Sequence, residues 1–262
     1  MIFYVPDGEK EETAFARTTH LAIAAHQDDI EFMAYAPIAE CFGQTEKWFG
    51  AVVATDGAGS PRSGIYADYT DGQMKEVRVA EQKKAAMVGE YSFLAMLGRP
   101  SKEVKDAGNK QIAGELAEII RKAKPEYLYT HNLADKHETH VATALKVIAA
   151  LRMLKPEERP EKVYGCEKVY LDCGSHPNLM RALSAVFDSQ ITGGKRYDLA
   201  AEGRRLANAT FSASHACDTY SALNYAMDLT PLMDEKTDIA EYIAGYIDRF
   251  KKSVTETIEK FV

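Results

Sequence analysis

The sequence predicts an α/β protein built on a mostly parallel sheet with helices on both faces, and three observations carry that expectation. Through the first two thirds of its 262 residues, short apolar runs alternate with longer amphipathic stretches. No linker, repeat or low-complexity tract interrupts the alternation, so one domain over 1–262 is expected. With 46% hydrophobic and 27% charged residues, and Gly and Pro spread along the chain, the composition is that of a folded protein large enough to bury a sizeable core.

The elements follow in order. Leu21–Ala25 reads as a buried strand, Glu31–Phe42 as a helix and Phe49–Ala54 as a second strand, which together make one βαβ unit. The polar, Gly-containing stretch Thr55–Gly72 is too long for a minimal turn and is expected to be a functional or mobile loop. A long helix Met74–Val88 comes next, then a strand Tyr91–Leu97, a helix Gln111–Lys122 and a strand Tyr127–Thr130. A helix Lys136–Arg152, an exposed connection Leu154–Lys162 and a strand Val163–Leu171 continue the pattern. Helices are expected over Leu179–Phe187, Tyr197–Ala209 and Ile239–Phe261, with a turn at Gly193 and Gly194.

A net charge of −7 disfavours nucleic acid or anionic lipid as the main partner. No window approaches the roughly 20 apolar residues that a membrane span needs. The start, MIFYVPDGEKEE, has no basic segment ahead of its short apolar run, and a cytoplasmic location is expected. Cys41, Cys166, Cys173 and Cys217 form no C-x-x-C pair and read as isolated buried thiols.

Chemistry collects after two strands. The first is followed by His26-Gln27-Asp28-Asp29-Ile30-Glu31, which puts a histidine and two carboxylates at a strand's carboxyl end, where open α/β sheets bind ligands. Adjacent Asp residues equally suit a helix N-terminus. The fourth strand runs into His131 and then Asp135-Lys136-His137-Glu138-Thr139-His140. A three-residue spacing puts His137 and His140 on one helix face. Two imidazoles and a carboxylate form a recurrent ligand set for a catalytic divalent metal, and His26, Asp29 and His140 can supply it. Asp135 reads either as a capping-box partner of Glu138 or as a carboxylate that orients a metal-bound imidazole.

With these residues in view, AHQDDIE (Ala25–Glu31) and DKHETH (Asp135–His140) resemble the two signatures of the PIG-L/LmbE family of metal-dependent N-deacetylases. Thr55-Asp56-Gly57 and Arg78-Val79-Ala80-Glu81 also resemble the family pattern, so the likeness spans about residues 20–150. It implies a Rossmann-like fold, with His26, Asp29 and His140 as metal ligands and Asp28 as the general base. His137 becomes the partner acid or oxyanion stabiliser, and Arg78 matches a position that contacts the substrate carbonyl or the acetate product. An Arg on an exposed helix beside Glu81 is otherwise simply solvated. Two departures stand out: Gln27 replaces the usual proline, and Thr139 replaces an acidic residue between the histidines.

The expected activity is hydrolysis of an N-acetyl amide on an amino sugar or its conjugate, with zinc as the expected metal. Similar deacetylases assemble as multimers, and a homo-oligomer is expected on that ground. No G-x-S-x-G elbow supports a serine mechanism, and Cys217 near His215 is the nearest approach to a cysteine one. Two rivals are a metal-dependent sugar-binding protein without turnover and a non-haem iron oxygenase, whose facial triad uses the same ligand types. His215, in ASHACD, is a second-tier candidate for contact with the bound sugar. Arg62, Tyr66, Tyr69, Lys195 and Arg196 lie in polar stretches that could shape a pocket, although turns and exposed loops collect such residues as well.

Overall fold

A computed structural model describes residues 1–211 and 220–261. Among the described residues, seven strands form one sheet in the order β1-β4-β3-β2-β5-β6-β7. Their ranges are β1 Ile2–Tyr4, β2 His20–Ala24, β3 Phe49–Thr55, β4 Phe93–Arg99, β5 Tyr127–Thr130, β6 Lys162–Asp172 and β7 Leu223–Asp228. The five inner strands pair in parallel, while β1 and β7 close the edges antiparallel. The fold is the Rossmann-like α/β arrangement expected from the alternation.

Alternate residues of the inner strands feed two separate cores. Leu21 and Ile23 of β2, Val52 and Ala54 of β3 and Phe93, Ala95 and Leu97 of β4 point to one face. There they meet α1 (Glu11–Ala16), α5 (Ser101–Lys105), α6 (Gln111–Ala123) and α7 (Glu138–Arg152). Ala22, Ala24, Ala51, Val53, Leu94 and Met96 take the other face, against α2 (Asp29–Met33), α3 (Tyr35–Cys41), α4 (Asp71–Val88) and α8 (Pro177–Ala185). A strand buried on both sides needs apolar residues at every position, which is why these runs carry no polar alternation. α9 (Asp188–Thr192), a π-helical turn Asp198–Gly203 and α10 (Arg204–Phe211) precede β7, and α11 (Ile239–Glu259) ends the fold.

Several elements depart from expectation. The predicted helix over 31–42 is two short helices broken at Ala34, whose φ of −117° and ψ of 28° leave the helical region. β1, α1, α5, α9 and β7 are additions. The loop after β3 does extend to residue 70, but it is anchored: Ser63 Oγ donates to the Thr192 carbonyl at 3.0 Å, and Tyr66 Oη donates to Asp188 at 2.8 Å. Cys41 and Cys173 are buried free thiols. Among the described residues, no helix is long and apolar enough to cross a membrane.

The parallel register of β2 buries a histidine in its first position. His20 is 2% exposed, with Nδ1 2.9 Å from Thr19 Oγ1 and its ring stacked on Tyr127. Burial pushes its pKa down to about 4, with Glu40 opposing and Lys47 adding to the shift. The folded value lies below the unfolded one, so the unfolded chain binds more protons between about pH 6.5 and 4. The contribution is therefore complete above pH 6.5 and is lost as pH falls toward 4, by of order 3 kcal/mol. Urea denaturation at pH 7.5, 5.5 and 4.5 should show a shallower decline for His20→Gln than for the parent, whatever the absolute stabilities.

Candidate metal centre and active site

β2 and β5 are adjacent, but the chain leaves β2 toward β3 on one side and continues from β5 toward β6 on the other. Loops diverge at this reversal and open a crevice at the carboxyl edge of the sheet. Residues 25–29 enter it from β2, and residues 131–140 enter it from β5.

The turn after β2 sends two neighbouring carboxylates to different partners. Asp28 has a φ of +93°, a region costly for a residue with a side chain. Its N–H donates to Gln82 Oε1 at 3.1 Å, and Arg78 donates to the carbonyl of Gln27, so α4 holds the strained peptide from both sides. Gln27 itself donates to the Thr55 carbonyl at 3.1 Å, a bond that a proline at this position would lack. Gly57, at φ +75°, packs so tightly on this turn that a Cβ would sit 2.8 Å from Gln27 Oε1 and 2.9 Å from Arg78 Cβ.

Asp29 faces the histidines. Its Oδ2 accepts the His26 N–H at 2.7 Å and lies 3.1 Å from His26 Nδ1 and 3.4 Å from His140 Nε2. Ligand atoms of His26, Asp29 and His140 lie within 4.8 Å of one another. Burial opposes ionisation of Asp29, but the hydrogen bond from His26 and the neighbouring His131 and His140 outweigh it and hold the carboxyl below its ordinary range.

His131, Asp135 and His140 satisfy the same distance test, and hydrogen bonding decides between the trios. His131 Nε2 accepts the Ala25 N–H at 2.8 Å, which puts the ring proton on Nδ1 and leaves neither nitrogen free for a cation. Burial pushes the pKa of His131 down to about 3, consistent with a neutral ring. Asp135 spends Oδ1 on the His137 N–H at 2.9 Å and Oδ2 on His140 Nδ1 at 2.7 Å. That second bond leaves the His140 Nε2 lone pair directed at Asp29. The residues therefore fit a single divalent ion held by His26, Asp29 and His140, with Asp135 orienting one imidazole.

Two local expectations change. Asp135 makes no capping box with Glu138, and the N-cap of α7 is His137, at φ −83° and ψ 109°. The Asx turn from Asp135 holds His137 just outside the helix, so it does not share a helix face with His140. The two rings still stack, with centroids 4.2 Å apart, and His137 meets His26 edge-on at 5.1 Å. Burial, then the charges of His140 and His26, lower the pKa of His137.

Arg78 is 2% exposed, so the solvated reading fails. Its guanidinium donates to Glu81 at 2.6 Å and lies 3.3 Å from Asp28 Oδ1. Asp28 Oδ2 accepts from Lys195 at 2.8 Å and from the Tyr197 hydroxyl. Lys195 comes from the polar stretch that turns explain equally well, and Tyr197 has no local signal; both arrive from more than 160 residues away. Arg196, by contrast, pairs with Asp198 at the surface. A cleft of about 680 Å³ opens beside Asp29, His131 and His140, and Arg204, Asn208, Asn224 and Tyr225 also line it. His215 lies outside the described residues.

A family model described as PIG-L, GlcNAc-PI de-N-acetylase, matches residues 21–151. No curated protein matches the sequence. Among solved structures, the chain is similar to N,N'-diacetylchitobiose deacetylase from Pyrococcus horikoshii, at 13% identity and TM-score 0.65, covering 90% of this chain and 93% of that one. A conserved protein from Thermus thermophilus aligns at 18% identity and TM-score 0.63, over 80% and 94% of the two chains. GalB, the 4-carboxy-2-hydroxymuconate hydratase from Pseudomonas putida, aligns at 17% identity and TM-score 0.63, over 85% and 100%. At these identities the three share the fold.

Two outcomes follow from this geometry. Asp135→Ala should weaken metal binding by about 10- to 100-fold in a chelator competition titration while leaving the circular dichroism unchanged. Arg78→Met should lower stability by about 3–5 kcal/mol in urea denaturation, because Glu81 and Asp28 would keep buried charges without their shared cation.

Proposed function

We propose a function from one premise: this chain belongs to the PIG-L, or GlcNAc-PI de-N-acetylase, family. The proposed reaction is hydrolysis of the N-acetyl amide of an amino sugar or its conjugate, in which water adds to the carbonyl, the C–N bond breaks, and acetate and a free amine leave. The observation that carries it is the convergence of His26, Asp29 and His140, while Asp28 and His137 stand beside them without being used as ligands.

Zinc is the proposed ion, and when bound it supplies a Lewis acid that makes water more acidic and the amide carbonyl more electrophilic. Asp28 is the proposed proton acceptor. A carboxylate has about four lone-pair sites. Lys195 and Tyr197 use two on Oδ2, and Arg78 uses one on Oδ1, which leaves one site on Oδ1 for a proton from water. His137, whose lowered pKa favours the neutral ring near pH 7, is placed to steady the developing oxyanion through a ring N–H, and the proton that Asp28 takes from water is the one returned to the departing nitrogen. Arg78 acts through Asp28 and the Gln27 carbonyl, as a positioning residue. We take the working unit as one domain over 1–262, acting in the cytoplasm as a homo-oligomer on a small N-acetylated substrate.

Metal analysis combined with acetate release from a panel of N-acetylated sugars tests the proposal. Acetate should appear only with the metal-loaded protein. Asp28→Asn should retain metal and lose about 10²- to 10⁴-fold in rate. Asp29→Ala should lose metal and activity together. Sugar binding without acetate would identify a binding protein instead. Hydration of an enol-type carboxylic acid, with no acetate from any amide, would place the chain with the chemistry of GalB.

A further inference from the structure

The cleft beside the metal ligands has an unbalanced set of charges. Its two acidic residues, Asp29 and Asp135, are both committed to histidines and backbone amides. Its cations, Lys136 and Arg204, make no salt bridge or side-chain hydrogen bond with any described residue. Lys136 precedes His137 in the segment after β5, Arg204 opens α10, and both line the cleft.

The fold sets up Arg204 with some care. The π-helical turn Asp198–Gly203 ends at this residue, and such turns shift the register of the side chains that follow. The next residue, Arg205, is 2% exposed and donates to the carbonyls of Glu31 and Phe32 at 2.9 Å and to Asn224 Oδ1 at 3.2 Å. It also lies over the ring of Tyr35. One arginine of the pair is thus a buried clamp that ties α10 to α2 and β7, and its neighbour lines the cleft with a guanidinium that has no partner among the described residues. Asn208 and Asn224, which also line the cleft, spend their amide N–H groups on the Leu223 and Phe32 carbonyls, which leaves Arg204 the strong donor among the described residues of α10 and β7 there.

We propose that Lys136 and Arg204 form an anion subsite, and that the substrate carries a carboxylate or phosphate on the part of the molecule away from its N-acetyl group. A planar guanidinium with several donors suits either anion through paired hydrogen bonds, and an ammonium in the same cleft adds a point charge. The cleft volume of about 680 Å³ accommodates a sugar together with a charged substituent. The inference rests on the deacetylase reading only for which bond is cut, because the cations bind an anion whether or not an amide is cleaved.

The test uses metal-loaded protein and two kinds of probe. Calorimetry compares glucose with glucose 1-phosphate and glucuronate, which carry an anion and no acetamide. Kinetics compares N-acetylglucosamine with N-acetylglucosamine 1-phosphate and N-acetylmuramic acid. The anionic member of each set should bind or react at least 10-fold better than the neutral one. Arg204→Leu and Lys136→Gln should remove most of that preference through KM, leaving kcat and the neutral sugar within about 2-fold. Both residues are exposed, so the variants should fold as the parent does. The larger ratio, for phosphate or for carboxylate, names the anion. Equal affinity for neutral and anionic probes, or a preference that survives in both variants, overturns the subsite. Anion binding that depends on Arg204 with no acetate from any substrate keeps the subsite and overturns the deacetylase reading. Acetate release without anion preference does the reverse.

Discussion

One hydrogen bond holds the site together: the Ala25 N–H to His131 Nε2, at 2.8 Å. It lies where the strand order reverses, one residue past the end of β2 and one past the end of β5, so strand pairing no longer supplies a partner for that amide. A buried N–H left open there would cost about 1–3 kcal/mol. By accepting it, His131 takes a fixed tautomer and lays its ring flat against His140, with centroids 4.1 Å apart and planes 10° apart. His140 is then set from one side by His131 and from the other by Asp135, and its Nε2 faces Asp29. The geometry of the three proposed ligands is inherited from the sheet through a histidine outside that set.

A second constraint comes from α4. Arg78 is a buried cation, and a buried charge is tolerated only where its hydrogen bonds are met. Glu81, Asp28, the Gln27 carbonyl and Ser189 Oγ meet most of them. Glu81 in turn accepts from the Ser189 N–H at 2.7 Å, so the same arginine that fixes the turn after β2 also fixes the segment that delivers Lys195 and Tyr197. This explains how a positive φ survives at Asp28. The strain is local, and the groups that oppose it are spread over three elements. It also explains how two chemically identical carboxylates in sequence come to have different surroundings: Asp29 sits among imidazoles, and Asp28 among cations and a phenol.

The central strands, the long helices and the two clusters of titratable residues were legible because each is written in a local pattern. β2, β3 and β5 are continuous apolar runs, and His26, Asp29 and His140 follow strands whose ends must share one edge of a parallel sheet. What escaped has no local signal. The break at Ala34 is the exception: Pro37, in the first turn of α3, has no N–H for the Met33 carbonyl and its ring crowds that group, so one continuous helix cannot run through. β1 and β7 are edge strands of three and six residues, with polar or half-buried positions that do not alternate cleanly. The capping-box reading of Asp135 had the right spacing, but the side chain found a stronger partner in His140. Lys195 and Tyr197 reach Asp28 across most of the chain, and periodicity carries no information about such contacts.

The fold is shared by deacetylases and by a hydratase, and the physical overlap between those reactions is plain: both deliver a water to an electrophilic carbon and need a base to take its proton. A cradle of two histidines and a carboxylate serves either one. The substrate must therefore be selected by the wall of the cleft, which here is built by α10 and β7, outside the span that the family model matches. Net charge is a poor guide to that wall. The −7 of the whole chain opposes long polyanions, which would meet the entire surface. A small ligand instead meets a cleft whose acids are already bound and whose cations have no partner among the described residues. The same chain can repel a nucleic acid and attract an anionic sugar, because the first responds to the summed field and the second to a few uncompensated groups at short range.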